Sequence, residues 1–387
     1  MNKLRAAFVF TVLAGIHFQA ISQNTGVLIG QDTTNRVITT AVPFLGITPD
    51  SRAAAMGETG AATSADANSA YWNAAKLAFI ENGYGVSGSY TPWLGKIIND
   101  MSIFYLSGFY KIAREQTVAA SMKYFDLGEI HFNKGPNPDD QLGRYNPREF
   151  AFDVTYSRLL TEHFSIGGAI RYIHSNLTGS GLAGTVDTKP GNSVAVDMGV
   201  FYTKPMEATN SNLSLGASIT NLGSKISYSN EDFNDFIPIN LRMGAAYQMQ
   251  LDAYNSISFA ADLNKLLVPS PGSGDAPLLS GVFGSFSDAR GGFSEEIREF
   301  MVAMGTEYWY NQTFAARAGY FLEARDKGNR KYLTAGLGLR YQKFGLDMAY
   351  LVPTNGRENA LAETLRFTIM MLFEKRASEQ DASVIDN

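Results

Sequence analysis

Residues 333–341 read Leu-Thr-Ala-Gly-Leu-Gly-Leu-Arg-Tyr, and the larger apolar side chains hold every second position. Threonine, glycine and arginine hold the positions between them. Because successive side chains of a β-strand point to opposite faces, such a strand has one apolar face and one small or polar face. The segment therefore predicts a β-strand, and Arg340 indicates that its second face meets polar surroundings.

The same period of two recurs from about residue 84 to near the C-terminus, for example in 150–156, 194–200 and 365–373. A tilted strand needs roughly 9–11 residues to span a membrane. On this basis the sequence predicts an all-β fold of about fourteen antiparallel strands, at 84–93, 101–112, 115–126, 148–160, 163–175, 193–204, 212–222, 239–250, 255–266, 299–309, 312–323, 331–342, 344–352 and 364–374.

A soluble β-sandwich would also alternate, but two features favour a transmembrane barrel. Charges lie in mid-strand on the small or polar face, as expected if that face lines a polar lumen: Lys123, Asp153, Arg171, Asp197, Asp262, Glu307, Arg317, Arg340, Asp347 and Arg366. Aromatic residues recur near strand ends, where interfacial girdles form: Tyr90, Trp93, Tyr124, Phe125, Tyr172, Phe201, Tyr202, Tyr308, Trp309, Tyr310, Tyr320, Phe321, Tyr341, Tyr350 and Phe373.

The predicted connections alternate in length. Those after even-numbered strands are short, whereas most of those after odd-numbered strands are long: 127–147, 176–192, 223–238, 267–298 and 353–363. An even-stranded barrel with both termini inside the cell envelope has short periplasmic turns and long outer loops. A sandwich has no reason to show this asymmetry.

Composition excludes several other classes of protein. The 387 residues are 45% hydrophobic but only 18% charged, and the aromatic content is too high for a disordered chain. Apart from the extreme N-terminus, no segment offers the roughly 20 apolar residues of a helical span. A net charge of -5 argues against binding to nucleic acid. With no cysteine, the chain has no disulfide, thiolate zinc site or lipoprotein anchor.

The two ends of the chain differ from the body. Residues 1–22 are predicted to be a secretory signal peptide, with Lys3 and Arg5 before an apolar run and Ala20-Ile21-Ser22 as the cleavage site. Residues 375–387 are predicted to be a polar periplasmic tail. The protein is thus expected to be exported to the outer membrane, with 84–374 forming the barrel.

Residues 23–83 do not alternate, and small residues dominate 51–63. Ala53 to Met56 predicts a short helix ended by Gly57, and Asp66 is suited to capping a turn entered at Ala67. Small residues allow backbones to pack closely, as a plug inside a lumen requires. An ordinary soluble N-terminal lobe is equally compatible with this spacing.

The order of residues in this block carries a resemblance. Its motif runs Ser51-Arg52-Ala53, Met56-Gly57, Gly60-Ala61-Ala62, Asp66-Ala67-Asn68-Ser69 and Trp72-Asn73-Ala74-Ala75-Lys76, after Ala41-Val42-Pro43-Phe44-Leu45-Gly46-Ile47-Thr48-Pro49-Asp50. It resembles the N-terminal signature of FadL-like outer-membrane proteins, and among them the PorV family of the Bacteroidetes type IX secretion system. That family usually has Asn-Pro-Ala after the tryptophan, whereas here Ala74 replaces the proline.

The resemblance implies a fourteen-stranded barrel and an N-terminal plug that enters the lumen from the periplasm. For the plug motif it points to Met56, Gly57, Gly60, Asp66, Trp72 and Asn73. It also implies partners: a giant (SprA/Sov-like) translocon barrel, cargo carrying a conserved C-terminal β-domain, and a sortase-like (PorU-like) surface peptidase. Outer-membrane lipid is expected as a further partner, in contact with the barrel.

The sequence contains no motif that indicates a catalytic site or a metal site. Beyond the signal peptide only His131, His163 and His174 occur, and no serine motif accompanies them. Asn137, Asp139 and Asp140 offer oxygen ligands, but their spacing matches no EF-hand, so a solvated turn is the better interpretation. We expect no enzyme, no metal site and no cofactor.

Two long loops carry candidate partner-contact residues. Phe233 and Phe236 lie among the acidic residues Glu231, Asp232 and Asp235. The 267–298 loop holds the apolar residues Leu278, Leu279, Val282, Phe283 and Phe286. Apolar surface of this extent is hard to leave in water, so the loop is expected either to fold over the barrel mouth or to contact a partner.

Two functions from different classes remain. The first is an outer-membrane secretion component that docks on a translocon, binds cargo and delivers it to surface attachment machinery. The alternative is a FadL-type diffusion channel for hydrophobic molecules, which needs an apolar pocket and a path through the wall. The charges on the inward face count against a continuous apolar tunnel.

Overall fold

The computed structural model describes residues 36–93, 100–133, 141–177, 189–229, 234–270, 276–354 and 364–374. The predicted signal peptide and the predicted C-terminal tail lie outside these ranges, as do Phe233 and Asn137. None of the helices that these ranges contain is long and apolar enough to cross a membrane.

Fourteen antiparallel strands close into one barrel, which confirms the predicted fold class. Each barrel strand pairs with its neighbours along the chain, and the first pairs with the last. The barrel strands are β1 (Tyr84–Pro92), β2 (Ser102–Ala113), β3 (Gln116–Asp126), β6 (Arg148–Thr161), β7 (Phe164–Asn176), β8 (Gly191–Met206), β9 (Ser211–Gly223), β10 (Asn240–Gln250), β11 (Asn255–Leu266), β12 (Met301–Tyr310), β13 (Phe314–Leu322), β14 (Lys331–Tyr341), β15 (Phe344–Pro353) and β16 (Leu365–Phe373).

The two rims of the barrel differ as predicted. The connection between β2 and β3, like that between β14 and β15, is a tight turn, and these turns form one rim, the short-turn rim. The opposite rim, the long-loop rim, carries the larger connections. One of them contains a small hairpin that the sequence did not predict, formed by β4 (Ile130–Asn133) and β5 (Gln141–Tyr145).

Apolar and polar faces separate across the barrel wall. Outward side chains such as Leu337 and Ile170 are exposed, and they form the apolar belt that meets lipid. Nine of the ten predicted mid-strand charges are buried on the inner face, and the tenth, Arg340, is half-buried and bonds to Asp347. The prediction that the small or polar face of the strands lines the lumen is therefore confirmed.

The predicted aromatic girdle needs a correction. Tyr310, Tyr341 and Tyr350 are exposed on the outer face. In contrast, Phe125, Phe201 and Phe321 are buried on the inner face, and Trp93 packs against Phe125. These four aromatic residues fill space within the barrel and so do not contribute to an interfacial girdle.

The described residues also form four short α-helices. Two belong to the N-terminal part, α1 (Ser51–Ala55) and α2 (Ser69–Trp72), with 3-10 turns at Pro43–Gly46 and Ala74–Phe79. The other two, α3 (Leu278–Gly284) and α4 (Phe293–Arg298), lie in the connection between β11 and β12. A further 3-10 turn at Glu207–Thr209 links β8 to β9.

Residues 36–83, hereafter the inner segment, run along the inward faces of the strands. At its start the N–H of Arg36 donates to the carbonyl of Asp326, and the N–H of Ala41 donates to the carbonyl of Phe236. Both partners belong to the long-loop rim. At its end the carbonyl of Gly83 accepts from Lys111 at the short-turn rim. The described segment thus begins at the long-loop rim, whereas the resemblance implied that it enters from the periplasmic side.

Candidate functional site

The helix α1 is held at both ends by side chains. Asp50 is its N-cap, and Oδ2 accepts a hydrogen bond from the N–H of Ala53 at 2.9 Å. The other oxygen, Oδ1, accepts from Trp72 Nε1 at 2.6 Å. One carboxylate therefore satisfies an unpaired helix N–H and fixes the indole. This role of Asp50 was missed in the sequence, although its position before Ser51 is typical of an N-cap.

A row of alternating charges ties the inner segment to the wall. The guanidinium of Arg52 donates to both carboxylate oxygens of Glu307, at 2.9 and 2.7 Å. The row runs Asp66, Arg52, Glu307, Arg317, Asp347 and Arg340. Each charge has an opposite neighbour, which is the condition under which charges are tolerated away from water.

Gly57 and Gly60 lie where a side chain would have no room. Gly57 has φ +67°, and a Cβ added to it would lie 2.5 Å from the carbonyl oxygen of Met304. A Cβ on Gly60 would lie 2.1 Å from the ring of Trp72. The wall matches this with its own glycine, because a Cβ on Gly305 would lie 2.3 Å from the carbonyl oxygen of Met56. Only glycine fits a left-handed turn pressed against a strand in this way.

A carboxylate on a barrel strand accepts hydrogen bonds from two successive peptide N–H groups of the inner segment. Asp262 Oδ2, on β11, accepts from the N–H groups of Gly60 and Ala61 at 2.7 and 2.8 Å. Thr334 on β14 makes a similar bridge, since it accepts from the N–H of Gly57 and donates to the carbonyl of Ala55. The inward polar residues of the strands thus supply the hydrogen bonds that the irregular segment cannot make with itself.

Trp72 and Asn73 anchor the second half of the segment. The guanidinium carbon of Arg242 lies 4.4 Å from the centroid of the Trp72 ring, a cation–π geometry. Asn73 Oδ1 caps the following 3-10 turn at Ala75, and Nδ2 donates to the carbonyl of Val200 at 3.0 Å. Asp66 caps the turn at Asn68, as predicted, and pairs with Arg52.

Burial shifts the ionisation of two groups in the segment. The pKa of Asp50 is raised to about 6, mainly because burial disfavours the charged carboxylate and because Asp66 repels it. Burial also lowers the pKa of Lys76 to about 8. Its ammonium donates to the carbonyl of Gly60 at 2.8 Å and to Thr63 at 3.0 Å.

Two cavities lie on opposite sides of the inner segment. The larger, at the long-loop rim, has a volume of about 510 Å³, and we call it the mouth cavity. Val37, Phe44, Trp93 and Phe125 give it an apolar flank. The smaller has about 240 Å³ and lies nearer the short-turn rim, beside Glu81 and Phe201.

The mouth cavity also carries charge. Arg171, Arg242, Lys327, Glu299 and Glu323 all reach its lining. Arg171 is held by Asp153 and by Asp197, which lies 2.9 Å from its Nη2. The cavity therefore combines apolar walls with polar groups of both signs, a mixture suited to a peptide surface as well as to a small amphipathic molecule.

The histidines do not come together. His163 lies beside Tyr202 near the short-turn rim, while His174 bonds to Asn192 Oδ1 at 2.8 Å on β7. His131 is exposed in the β4–β5 hairpin. Within the ranges that the structure describes, no cluster of three or more histidine, aspartate or glutamate side chains has the arrangement of a metal site.

The candidate partner-contact residues divide into two groups. Phe236 is 4% exposed, so it is not available to contact a partner as predicted. Leu278 is partly buried against the apolar cluster that contains Phe236. Leu279, Phe283 and Phe286 are exposed. Phe293 and Ile297 are exposed as well but were not among the predicted contact residues, although their spacing of four residues is a recognisable helical signal.

Comparison with known proteins agrees with this architecture. A model of the family described as type IX secretion system protein PorV matches residues 30–273, more than half of the chain. Among curated proteins, none matches the chain.

The solved structures that are similar to it at low identity include two toluene transporters and a FadL homologue. The toluene transporter TodX of Pseudomonas putida is 12% identical, with a TM-score of 0.49, and the match covers 84% of this chain and 98% of that one. The toluene transporter TbuX of Ralstonia pickettii is 12% identical, with a TM-score of 0.44, and the match covers 83% of this chain and 97% of that one. A FadL homologue of Pseudomonas aeruginosa is 11% identical, with a TM-score of 0.45, and the match covers 88% of this chain and 99% of that one.

The motif, the closed fourteen-stranded barrel and the extent of the family match lead to one conclusion. The chain belongs to the PorV family and is an outer-membrane β-barrel component of the type IX secretion system.

Proposed function

We propose that this component docks on the giant translocon barrel, binds cargo that carries the C-terminal β-domain, and passes it to the sortase-like surface peptidase. Membership of the PorV family supports the proposal. The observation that carries it is the position of the mouth cavity, which opens at the long-loop rim while the inner segment fills the space behind it.

The inner segment acts in this proposal as a plug. Its hydrogen bonds reach opposite sides of the barrel, from Thr368 on β16 to Ser157 on β6 and Asp262 on β11. A cargo domain received at the mouth would then meet a fixed floor, so delivery happens at the outer surface and not through the lumen.

The role is tested in a deletion strain. Without the gene for this protein, cargo carrying the C-terminal β-domain should no longer be anchored on the cell surface, and the wild-type gene should restore anchoring. Cargo that is released and anchored normally in the deletion strain would refute the proposal.

The assignment of cargo to the mouth needs a separate test. Trp93→Ala removes an aromatic side chain from the mouth lining, and should reduce cargo anchoring in the complemented strain. Tyr254→Ala is the matched control, because Tyr254 is an exposed aromatic residue at the opposite rim. Equal anchoring by the two variants would remove the mouth from the proposal while leaving the secretion role standing.

A diffusion channel for hydrophobic molecules is the alternative, and the apolar flank of the mouth cavity is the observation that favours it. Such a channel needs a tightly bound lipid in the purified barrel. It also needs growth on that lipid to depend on the protein. Both results together would replace the secretion proposal.

A further inference from the structure

The helices α3 and α4, in the connection between β11 and β12, turn large apolar side chains outward. Leu279 and Phe283 on α3 are 61% and 72% exposed, and Phe293 and Ile297 on α4 are 80% and 55% exposed. Residues four apart lie on one face of a helix, so each helix presents an apolar pair on a single side. Two Phe side chains this exposed are costly in water and indicate a covered surface.

The remaining side of α4 is charged and buried. Lys327 Nζ bonds to Glu295 at 2.8 Å and to Glu299 at 2.9 Å, and Lys265 Nζ bonds to Glu296 at 3.2 Å. Lys265 also pairs with Glu299, and Arg36 pairs with Glu295. Three carboxylates thus meet three cations, and this group of six side chains is the α4 ion cluster.

The position of Lys265 places this cluster relative to the membrane. Asn264 and Leu266 line the mouth cavity, so Leu263 and Lys265 point outward by the alternation of β11. Leu263 is 44% exposed and belongs to the apolar belt, whereas Lys265 is 1% exposed. Two residues along a strand are about 7 Å, so α4 lies at the upper edge of the belt.

The cluster also orients the apolar pair of α4. Its carboxylates face Lys327, which lines the mouth cavity, and Lys265 on the wall below. Phe293 and Ile297 lie on the other side of the helix, and they therefore point away from the mouth. Because each buried charge is paired, the buried side of α4 offers no lone carboxylate to an apolar environment.

We propose that α3 and α4 lie in the outer-leaflet interface, with Leu279, Phe283, Phe293 and Ile297 inserted at the boundary between headgroups and acyl chains. Interfacial helices bury such faces roughly 5–10 Å deep. Lipid is the occupant because the apolar pair of α4 continues a belt that already meets lipid. The end of α3 lies at the same edge, since the ring centroid of Phe286, just after α3, is 5.8 Å from Lys265 Nζ. This anchoring is independent of the cargo role and would hold even if that role failed.

The absence of cysteine from the chain makes the test direct. Phe283→Cys, Phe293→Cys and Ile297→Cys are each labelled with a nitroxide, and the protein is reconstituted in nanodiscs of phosphatidylcholine. Leu263→Cys marks the belt, and Lys189→Cys marks an exposed site in another long loop. Electron paramagnetic resonance then compares collisions with oxygen, which concentrates in lipid, and with a water-soluble nickel complex.

The expected result is an oxygen-to-nickel ratio at all three sites that is severalfold above Lys189→Cys and approaches Leu263→Cys. A ratio equal to that of Lys189→Cys at all three sites would overturn the proposal. Labels that are shielded only after the translocon is added would also overturn it, in favour of the partner contact predicted for this loop.

A second reporter covers any variant that fails to fold. The fluorescence of the introduced tryptophan is obtained by subtracting the fluorescence of the wild-type protein. Brominated phosphatidylcholine should quench this signal in Phe293→Trp and should leave it unchanged in Lys189→Trp. Equal quenching in the two variants would contradict insertion.

Discussion

Two glycines of the inner segment allow it to pack closely against its surroundings. Gly57 lies against β12 and β13, and Gly60 lies on the face of the Trp72 ring. A Cβ at either position would enter space already filled by main chain or by a rigid ring. These two glycines of the family motif therefore lie where a neighbouring strand or ring leaves no room for a side chain.

Gly57→Ala is expected to destabilise the protein by several kcal/mol, since it adds a left-handed backbone penalty of about 1–2 kcal/mol to an overlap with Met304. Gly46→Ala is the matched control in the same segment, because a Cβ there meets nothing within 4 Å. The unfolding midpoint in urea measures both. Similar midpoints would show that the turn can shift away from the wall.

Asp50 gives the inner segment a dependence on pH. Because burial raises its pKa to about 6, above the ordinary 3.8, the folded protein keeps a proton that the unfolded chain has lost between these values. Stability therefore falls as the pH rises through this window, by at most about 1.4 kcal/mol per pH unit.

The comparison that isolates this carboxyl group is with Asp50→Asn, which cannot ionise. From about pH 4 to pH 6 the variant should gain stability relative to the wild type, as measured by urea unfolding at each pH. A difference between the two proteins that stays constant across the window would refute the assignment.

At the scale of secondary-structure elements, the conformation of the inner segment is stabilised mainly by contacts with the strands and less by bonds within the segment. Its helices have only 5 and 4 residues, too short to be stable alone. The bond between Arg52 and Glu307 joins it to β12 across 255 positions of the chain. Such pairs hold two distant elements in register.

A double-mutant cycle tests this bond. Arg52→Met leaves Glu307 with one cation fewer, and breaking a buried pair typically costs about 3–5 kcal/mol. Adding Glu307→Gln should recover part of the loss, because the second charge is then removed as well. Purely additive losses in urea unfolding would indicate that the two side chains do not act as a pair.

The helix α4 is expected to loosen in acid. Although burial opposes ionisation, hydrogen bonds from Lys327 and from the N–H of Gly291 lower the pKa of Glu295 to about 2, from 4.5. The stabilisation is therefore complete above about pH 4.5 and is lost as the pH falls toward 2.

Hydrogen exchange at the amides of α4 measures this loosening. Exchange, corrected for its intrinsic pH dependence, should rise below about pH 4.5, and Glu295→Gln should show the higher level already at neutral pH. Protection that does not change between neutral pH and acid would contradict the role of the α4 ion cluster.

At the scale of the whole molecule, the barrel encloses a folded segment that separates its two cavities. We therefore expect the wild-type protein to carry no steady ion current in a planar lipid bilayer. Arg52→Met should produce brief openings, since it frees the segment from β12. Lys189→Met, at an exposed loop position, serves as control, and a steady porin-like current through the wild type would contradict a fixed plug.

Much of the barrel followed from local patterns. The ends of β11 agree with the prediction, and those of β8 and β12 differ by two residues or fewer. The alternation is legible because each strand meets lipid on one face and polar groups on the other. The short helix predicted from Ala53 to Met56 is present but runs from Ser51 to Ala55. The cap at Asp66 was also predicted, since aspartate acts locally.

Long-range pairing could not be predicted in the same way. Nothing near Arg52 in the chain indicates Glu307, and nothing near Gly60 indicates Asp262. For the same reason Phe125 and Phe321 were assigned to the girdle although they face inward, because an aromatic residue near a strand end fits either place.

The sequence by itself determined the number of barrel strands, their faces and the two unequal rims, because a period of two and the length of a connection are local properties. Only the tertiary structure decided which charges pair, where the inner segment begins and which loop residues stay exposed. These depend on contacts between residues far apart in the chain, which local patterns in the sequence do not specify.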